Sequence, residues 1–268
     1  MDSSSHDNMS FLEHLEELRW HIIRSLIAII SAGFVCFLMK DFIFDTIIFG
    51  PKKMDFPTYK FLCQAATFIG IETTFCGDEF PFIVQNRTMA GQFSAHVMTS
   101  IISGFIISFP YILYEFWKFI APGLLEKEKA KSRGFILVSS LLFFLGVLFG
   151  YYIISPLSIN FLGTYQVSSQ VINEIDLGSF ISLVRSSTLA SGIIFELPII
   201  IYFLTKAGIV TPESLVKYRK YALVLVLILA AIITPPDVAS QIIVAIPIVV
   251  LYQVSIFISR IVIKNQAK

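Results

Sequence analysis

The chain has 268 residues, of which 56% are hydrophobic and 15% charged, where average soluble domains carry roughly 25% charged residues. Together with a mean hydropathy of +0.78, this is the composition of a polytopic membrane protein. The net charge of +1 and the lack of a basic stripe exclude a nucleic-acid partner.

The opening residues, "MDSSSHDNMS", hold two aspartates and no arginine. They resemble neither a transit peptide nor a secretory signal with its basic start. The first apolar span is therefore expected to direct insertion itself, in a bacterium or in an organelle translating its own genome. Next comes "FLEHLEELRW" (11–20). Ser10 followed by Glu13 is a capping box that starts a helix. Phe11, Leu15, Leu18 and Ile22 recur at three- and four-residue steps and line one face, which predicts an amphipathic helix over about 10–20. Glu13 and Glu17 share another face, with His21 one turn on. The dipole of the helix accounts for Glu13 but less well for Glu16 and Glu17 in the second turn. Membrane proteins put lysine and arginine, not acid, at a cytoplasmic boundary.

Six apolar stretches follow, at about 21–40, 93–117, 134–156, 183–205, 220–235 and 238–259. All run too long for strands and lack period-two alternation. The prediction is an all-α protein of six transmembrane helices forming one membrane domain, both termini on one side. Segments on that side carry twelve lysines and arginines, while the opposite loops carry only Lys52, Lys53, Lys60 and Arg87. The termini are therefore expected in the cytoplasm.

The long outer loop, about 41–92, holds "FIFDTIIF" (42–49), which fits a short amphipathic helix. Cys63 and Cys76 fall in the same loop, where an oxidising compartment permits either a disulfide or two free thiols. The next inner segment, "WKFIAPGLLEKEKAKSRG" (117–134), sets Glu126 and Glu128 among five basic residues. It reads as a solvated positive-inside loop, or with Glu17 as half of an acidic surface for a basic peptide.

"GVLFG" (146–150) in the third span marks close helix packing. In the fourth span Glu196 lies in "GIIFELPIII". A charge there costs on the order of 2.5–3.5 kcal/mol by insertion scales, and Pro198 leaves the Ile194 carbonyl without its helical donor. Glu196 is either a filler for that kink or a polar site in a concave membrane pocket. Only 14 residues separate Lys220 from Pro235, about 21 Å of helix against a roughly 30 Å hydrocarbon core. With "TPPD" (234–237) as the turn, the fifth and sixth helices are expected to form a short hairpin carrying Thr234, Asp237, Gln241 and Gln253. No enzyme, metal or nucleotide motif is present, so neither catalysis nor a cofactor is expected.

"HLEELR" (14–19), "FWKFIAPGL" (116–124), "FELP" (195–198) and "TPPDVASQ" (234–241) resemble the signature segments of the TatC family. TatC is the large subunit of the twin-arginine protein translocase. The resemblance covers nearly the whole chain. It implies a curved, glove-like set of six helices in a bacterial inner membrane and a homo-oligomer within a larger receptor complex. It implies binding of twin-arginine signal peptides at the cytoplasmic face. It also implies TatA- and TatB-type single-span partners and export of folded proteins driven by the proton-motive force. Residue by residue, Glu17 and Glu128 match the family's signal-binding glutamates, and Arg19 and Phe119 match positions linked to that site. Glu196 matches an intramembrane glutamate, Thr234 and Gln241 a patch used by partner helices, and Pro51 an outer-loop proline. The stretch from about 59 to 84, with Cys63 and Cys76, departs from the family pattern by its length. Another class, a proton-coupled transporter of small solutes with Glu196 as carrier, would need an internal repeat and a midplane site; no repeat is seen.

Overall fold

The computed structural model describes residues 11–70, 74–77, 79–120, 132–168, 170–234 and 238–266, without the side chains of 11–14, 74, 132–133, 238–239 and 265–266. The protein is a polytopic membrane protein, with five helices long and apolar enough to cross a bilayer among the described residues: Leu15–Leu38, Gly91–Ile120, Gly134–Thr164, Leu177–Lys206 and Ser240–Lys264. Long exposed apolar faces such as Ile27, Ile30 and Phe34 suit lipid rather than water.

The chain forms two compact units, Met1–Lys40 with Val97–Leu141, and Asp41–His96 with Leu142–Lys268. In the first unit α1 (Phe11–Leu38) is one continuous 28-residue helix, so the amphipathic start and the first span share an axis. It packs on α3 (Gly91–Ile120) at a crossing of small residues. A methyl group on Gly104 would stand 2.6 Å from the Ile29 carbonyl oxygen and 2.7 Å from the Gly33 Cα. The backbones therefore touch, as small residues permit in membranes. Beside the crossing, the Ser108 hydroxyl donates to the Ala28 carbonyl at 3.0 Å.

The second unit starts with a π-helical turn, Phe42–Ile48, a 3-10 turn, Gly50–Lys52, and α2 (Pro57–Ile69). Helix α4 (Ser132–Phe149), which begins in the first unit, runs through a π segment, Gly150–Ile154, into α5 (Ser155–Thr164). Helices α6 (Leu177–Phe195) and α7 (Leu197–Lys206) follow. "GVLFG" packs on α6: a methyl on Gly146 would meet the Ser191 carbonyl, and one on Gly150 the Ser187 carbonyl, both at 2.6 Å. The Ser155 and Ser187 hydroxyls bond across this seam at 2.8 Å. After α8 (Pro212–Lys217) come α9 (Arg219–Ile233) and α10 (Val238–Gln266). The Thr205 and Ser259 hydroxyls join α7 to α10 at 2.8 Å.

Two findings depart from the sequence expectation. The last helix has 29 residues, about 43 Å, so it is not short. It continues past the apolar run into "RIVIKNQ", where polar side chains cost a helix nothing outside the hydrocarbon. Only α9, with 15 residues and about 22 Å of length, is short. Second, the otherwise helical chain carries a parallel two-stranded ladder, β1 (Phe82–Gln85) on β2 (Asn173–Asp176). An Arg87–Glu174 ion pair of 3.0 Å extends it.

Candidate functional site

Helix α3 carries an acid in its apolar body. Glu115 is 2% exposed, a position that a lone carboxylate could hold only at a large desolvation cost. Its cost is offset by basic side chains from two helices. The His21 Nδ1 of α1 lies 2.6 Å from Glu115 Oε2, and the Arg24 guanidinium lies 3.7 Å from the same oxygen. Lys118, one turn along α3, lies 3.9 Å from the other oxygen, and the Tyr111 phenol bonds the same carboxylate. Trp117, buried at 6% exposure, stacks on Phe135 at 4.8 Å and fixes the rotation of α3 at this end.

Of the residues expected at the signal site, Phe119 touches this node and Glu17 shares a face of α1 with His21. The Phe119 ring meets the His21 ring edge-on at 6.2 Å. Glu17 is half-buried on α1, four residues before His21 and so on the same helix face. Arg19 is exposed. Glu128 lies outside the described residues, as do Glu126 and the capping serine Ser10. Sequence reasoning missed Glu115, although a signal existed: an acid inside an apolar span calls for a partner. It was hidden because "YEFWKF" reads as part of a boundary motif.

In the second unit, Glu196 sits at the joint between α6 and α7, with φ −75° and ψ −4°. Pro198, in the first turn of α7, lacks the N–H that would continue α6. The Glu196 N–H instead turns tightly back to Ile193 at 3.1 Å. The residue is 9% exposed. Thr234, at the end of α9, is buried and donates to the Ala230 carbonyl at 2.8 Å. It lines a groove of about 590 Å³ with Asp176, Ser179, Ser182 and Ser186. The Gln241 amide reaches from α10 to the Leu227 carbonyl of α9 at 3.1 Å.

The segment after α1 is anchored by Pro51 and Tyr59. Pro51 is buried in its 3-10 turn, and its carbonyl accepts the Tyr59 hydroxyl. Tyr59 is fully buried, which pushes its phenol pKa up. Cys63 and Cys76 are disulfide-bonded, Cα to Cα 5.1 Å, and join α2 to the turn at Thr74–Cys76. Among the described residues no cluster of histidine, cysteine or acid could hold a metal ion.

Comparison with known proteins identifies the molecule. A family profile described as "TatC: Sec-independent protein translocase protein (TatC)" matches residues 13–247. The Sec-independent protein translocase protein TatC of Blattabacterium sp. subsp. Periplaneta americana is 47% identical over 261 residues, covering 97% of this chain and 98% of its own. That of Aquifex aeolicus is 36% identical over 255 residues, 94% and 95% of the two chains. A crystal structure of a twin arginine translocase receptor, TatC, superposes with a TM-score of 0.68 at 33% identity, covering 93% of this chain and 99% of that one. From the four motifs, the membrane-spanning helices and these matches, the chain belongs to the TatC family of Sec-independent protein translocase proteins.

Proposed function

We propose that this chain is the receptor and core subunit of a twin-arginine translocase in a bacterial inner membrane. It binds twin-arginine signal peptides at the cytoplasmic face. With TatA- and TatB-type single-span partners, it exports folded proteins using the proton-motive force. The observation that carries this reading is the likeness, over nearly the whole chain, to solved twin arginine translocase receptors. In this reading six helices span the membrane, α9 being the short fifth, both termini are cytoplasmic, and several copies share one complex.

Glu17 and Glu128 receive the two arginines of the signal, with Arg19 and Phe119 at the edge of the site. Two separated acids suit two adjacent arginines, because each guanidinium binds a carboxylate through two parallel hydrogen bonds. This explains the acid at the boundary of the first span: the substrate brings the positive charge. Glu196 presents a polar group within the membrane to a signal or partner segment. Thr234 and Gln241 meet partner helices, and Pro51 shapes the outer loop. The chain itself is not catalytic.

The test is complementation. A strain lacking its own TatC and carrying this chain with matching single-span partners is expected to export a folded cofactor protein bearing a twin-arginine signal. Failure to export it, with the chain inserted at normal levels, contradicts the reading.

A further inference from the structure

We propose that Glu115 is a positioning residue for signal recognition: its buried carboxylate holds the His21 imidazole away from Glu17 and so keeps Glu17 open to an incoming guanidinium. The inference rests on the reading of Glu17 as a signal-binding acid.

His21 stands four residues after Glu17 on α1. An acid followed by a cation at this spacing, in this order, is a favourable helical pair. Left alone, a protonated His21 would close on Glu17 and present the signal arginine with a carboxylate already engaged. Instead, His21 Nδ1 lies 2.6 Å from Glu115 Oε2, and Glu17 makes no ion pair among the described residues. The competition is one-sided: Glu115 is 2% exposed, and a polar contact gains more in such a low-dielectric place than at the half-exposed Glu17. Phe119, edge-on to the His21 ring at 6.2 Å, takes up part of the space around that ring.

Arg24 is drawn to the same Glu115 oxygen at 3.7 Å, so two basic side chains of α1 are committed to α3. Lys118 and Tyr111 complete the shell around the carboxylate. With three basic groups already around it, Glu115 is itself a poor acceptor for a fourth, which separates its role from that of Glu17. The α1–α3 crossing at Gly33 and Gly104 holds the two helices close enough for this pairing.

The experiment titrates a labelled twin-arginine signal peptide against the full chain in membranes, as wild type, Glu115→Gln, His21→Gln, the double variant and Glu17→Gln. Releasing His21 onto Glu17 is expected to weaken binding about tenfold in Glu115→Gln, the scale of one charge-assisted contact. His21→Gln alone is expected to bind at least as well as wild type. The deciding result is the double variant. Removal of the competitor is expected to restore affinity to within about threefold of wild type, a gain that a structural or folding defect would not give. Unchanged binding in Glu115→Gln, or a double variant as weak as Glu115→Gln, overturns the inference while leaving the receptor reading in place. Unchanged binding in Glu17→Gln removes the premise and so overturns the inference, while the receptor reading stands or falls by the export test.

Discussion

The Tyr59 hydroxyl lies 2.8 Å from the Pro51 carbonyl and 3.0 Å from the Pro156 carbonyl, and shares one proton between them. One side chain thus ties the 3-10 turn after the first span to the start of α5. Around it, Phe56 stacks on Tyr152 at 5.4 Å, and the Tyr151 hydroxyl reaches the Ile47 carbonyl at 2.8 Å. The segment between α1 and α3 is therefore packed onto its own unit.

Replacing Tyr59 by Phe takes the hydroxyl donor from the buried Pro51 carbonyl and removes little volume. An unsatisfied buried acceptor costs about 1–3 kcal/mol. The purified variant is expected to unfold at lower temperature than wild type, with signal binding intact because Tyr59 and Glu17 belong to different units. An unchanged melting temperature would show that the hydroxyl does not anchor the loop.

Gly104→Ala is expected to damage the α1–α3 joint. The added methyl would meet backbone atoms of α1 at 2.5–2.7 Å, and overpacking costs about 1–3 kcal/mol. Gly134→Ala is the control, since nothing lies within 4 Å of its added carbon. Thermal stability and signal binding should both fall in the first variant and in neither respect fall in the second. Equal behaviour of the two would contradict the close crossing.

At Glu196, Gln keeps the shape and most hydrogen bonds of a neutral carboxyl, whereas Ala leaves a void at the α6–α7 joint. Export is expected to survive Glu196→Gln better than Glu196→Ala. If Gln proved as harmful as Ala in an export assay, proton transfer at Glu196 would be favoured over hydrogen bonding.

The short α9 makes a prediction about the bilayer. At about 22 Å it falls some 8 Å short of a typical hydrocarbon core, which calls for local thinning or shielding by neighbours. Adding four leucines to α9 should leave insertion intact and impair export. Normal export would show that its shortness has no role.

Periodicity and runs of apolar residues made the long helices legible, and "GVLFG" correctly announced a close packing seam. Charge inside the apolar body pointed to Glu196. The same rule applied to Glu115 would have found the His21 node, but its partner is 94 residues away in sequence and no local pattern names it. The β1–β2 ladder was hidden for a similar reason. Each strand has four residues, too few for an alternation to stand out, and a parallel pairing of distant loops leaves no hairpin turn to read. The end of α10 was misplaced because apolar runs report the bilayer, whereas a helix continues into water wherever its backbone remains bonded.

The most direct test of the receptor reading is a binding titration of a twin-arginine signal peptide in membranes against Glu17→Gln, Glu128→Gln and Glu13→Gln. A charge-assisted arginine–carboxylate contact is worth roughly 1.5–3 kcal/mol when partly shielded. Loss of Glu17 or Glu128 should weaken binding by up to about 100-fold, and a twin-lysine peptide should also bind less well, since lysine lacks the bidentate fork. Glu13→Gln should change little, because glutamine still closes the capping box. Full affinity in both the Glu17 and Glu128 variants would contradict the paired-carboxylate site and the account built on it.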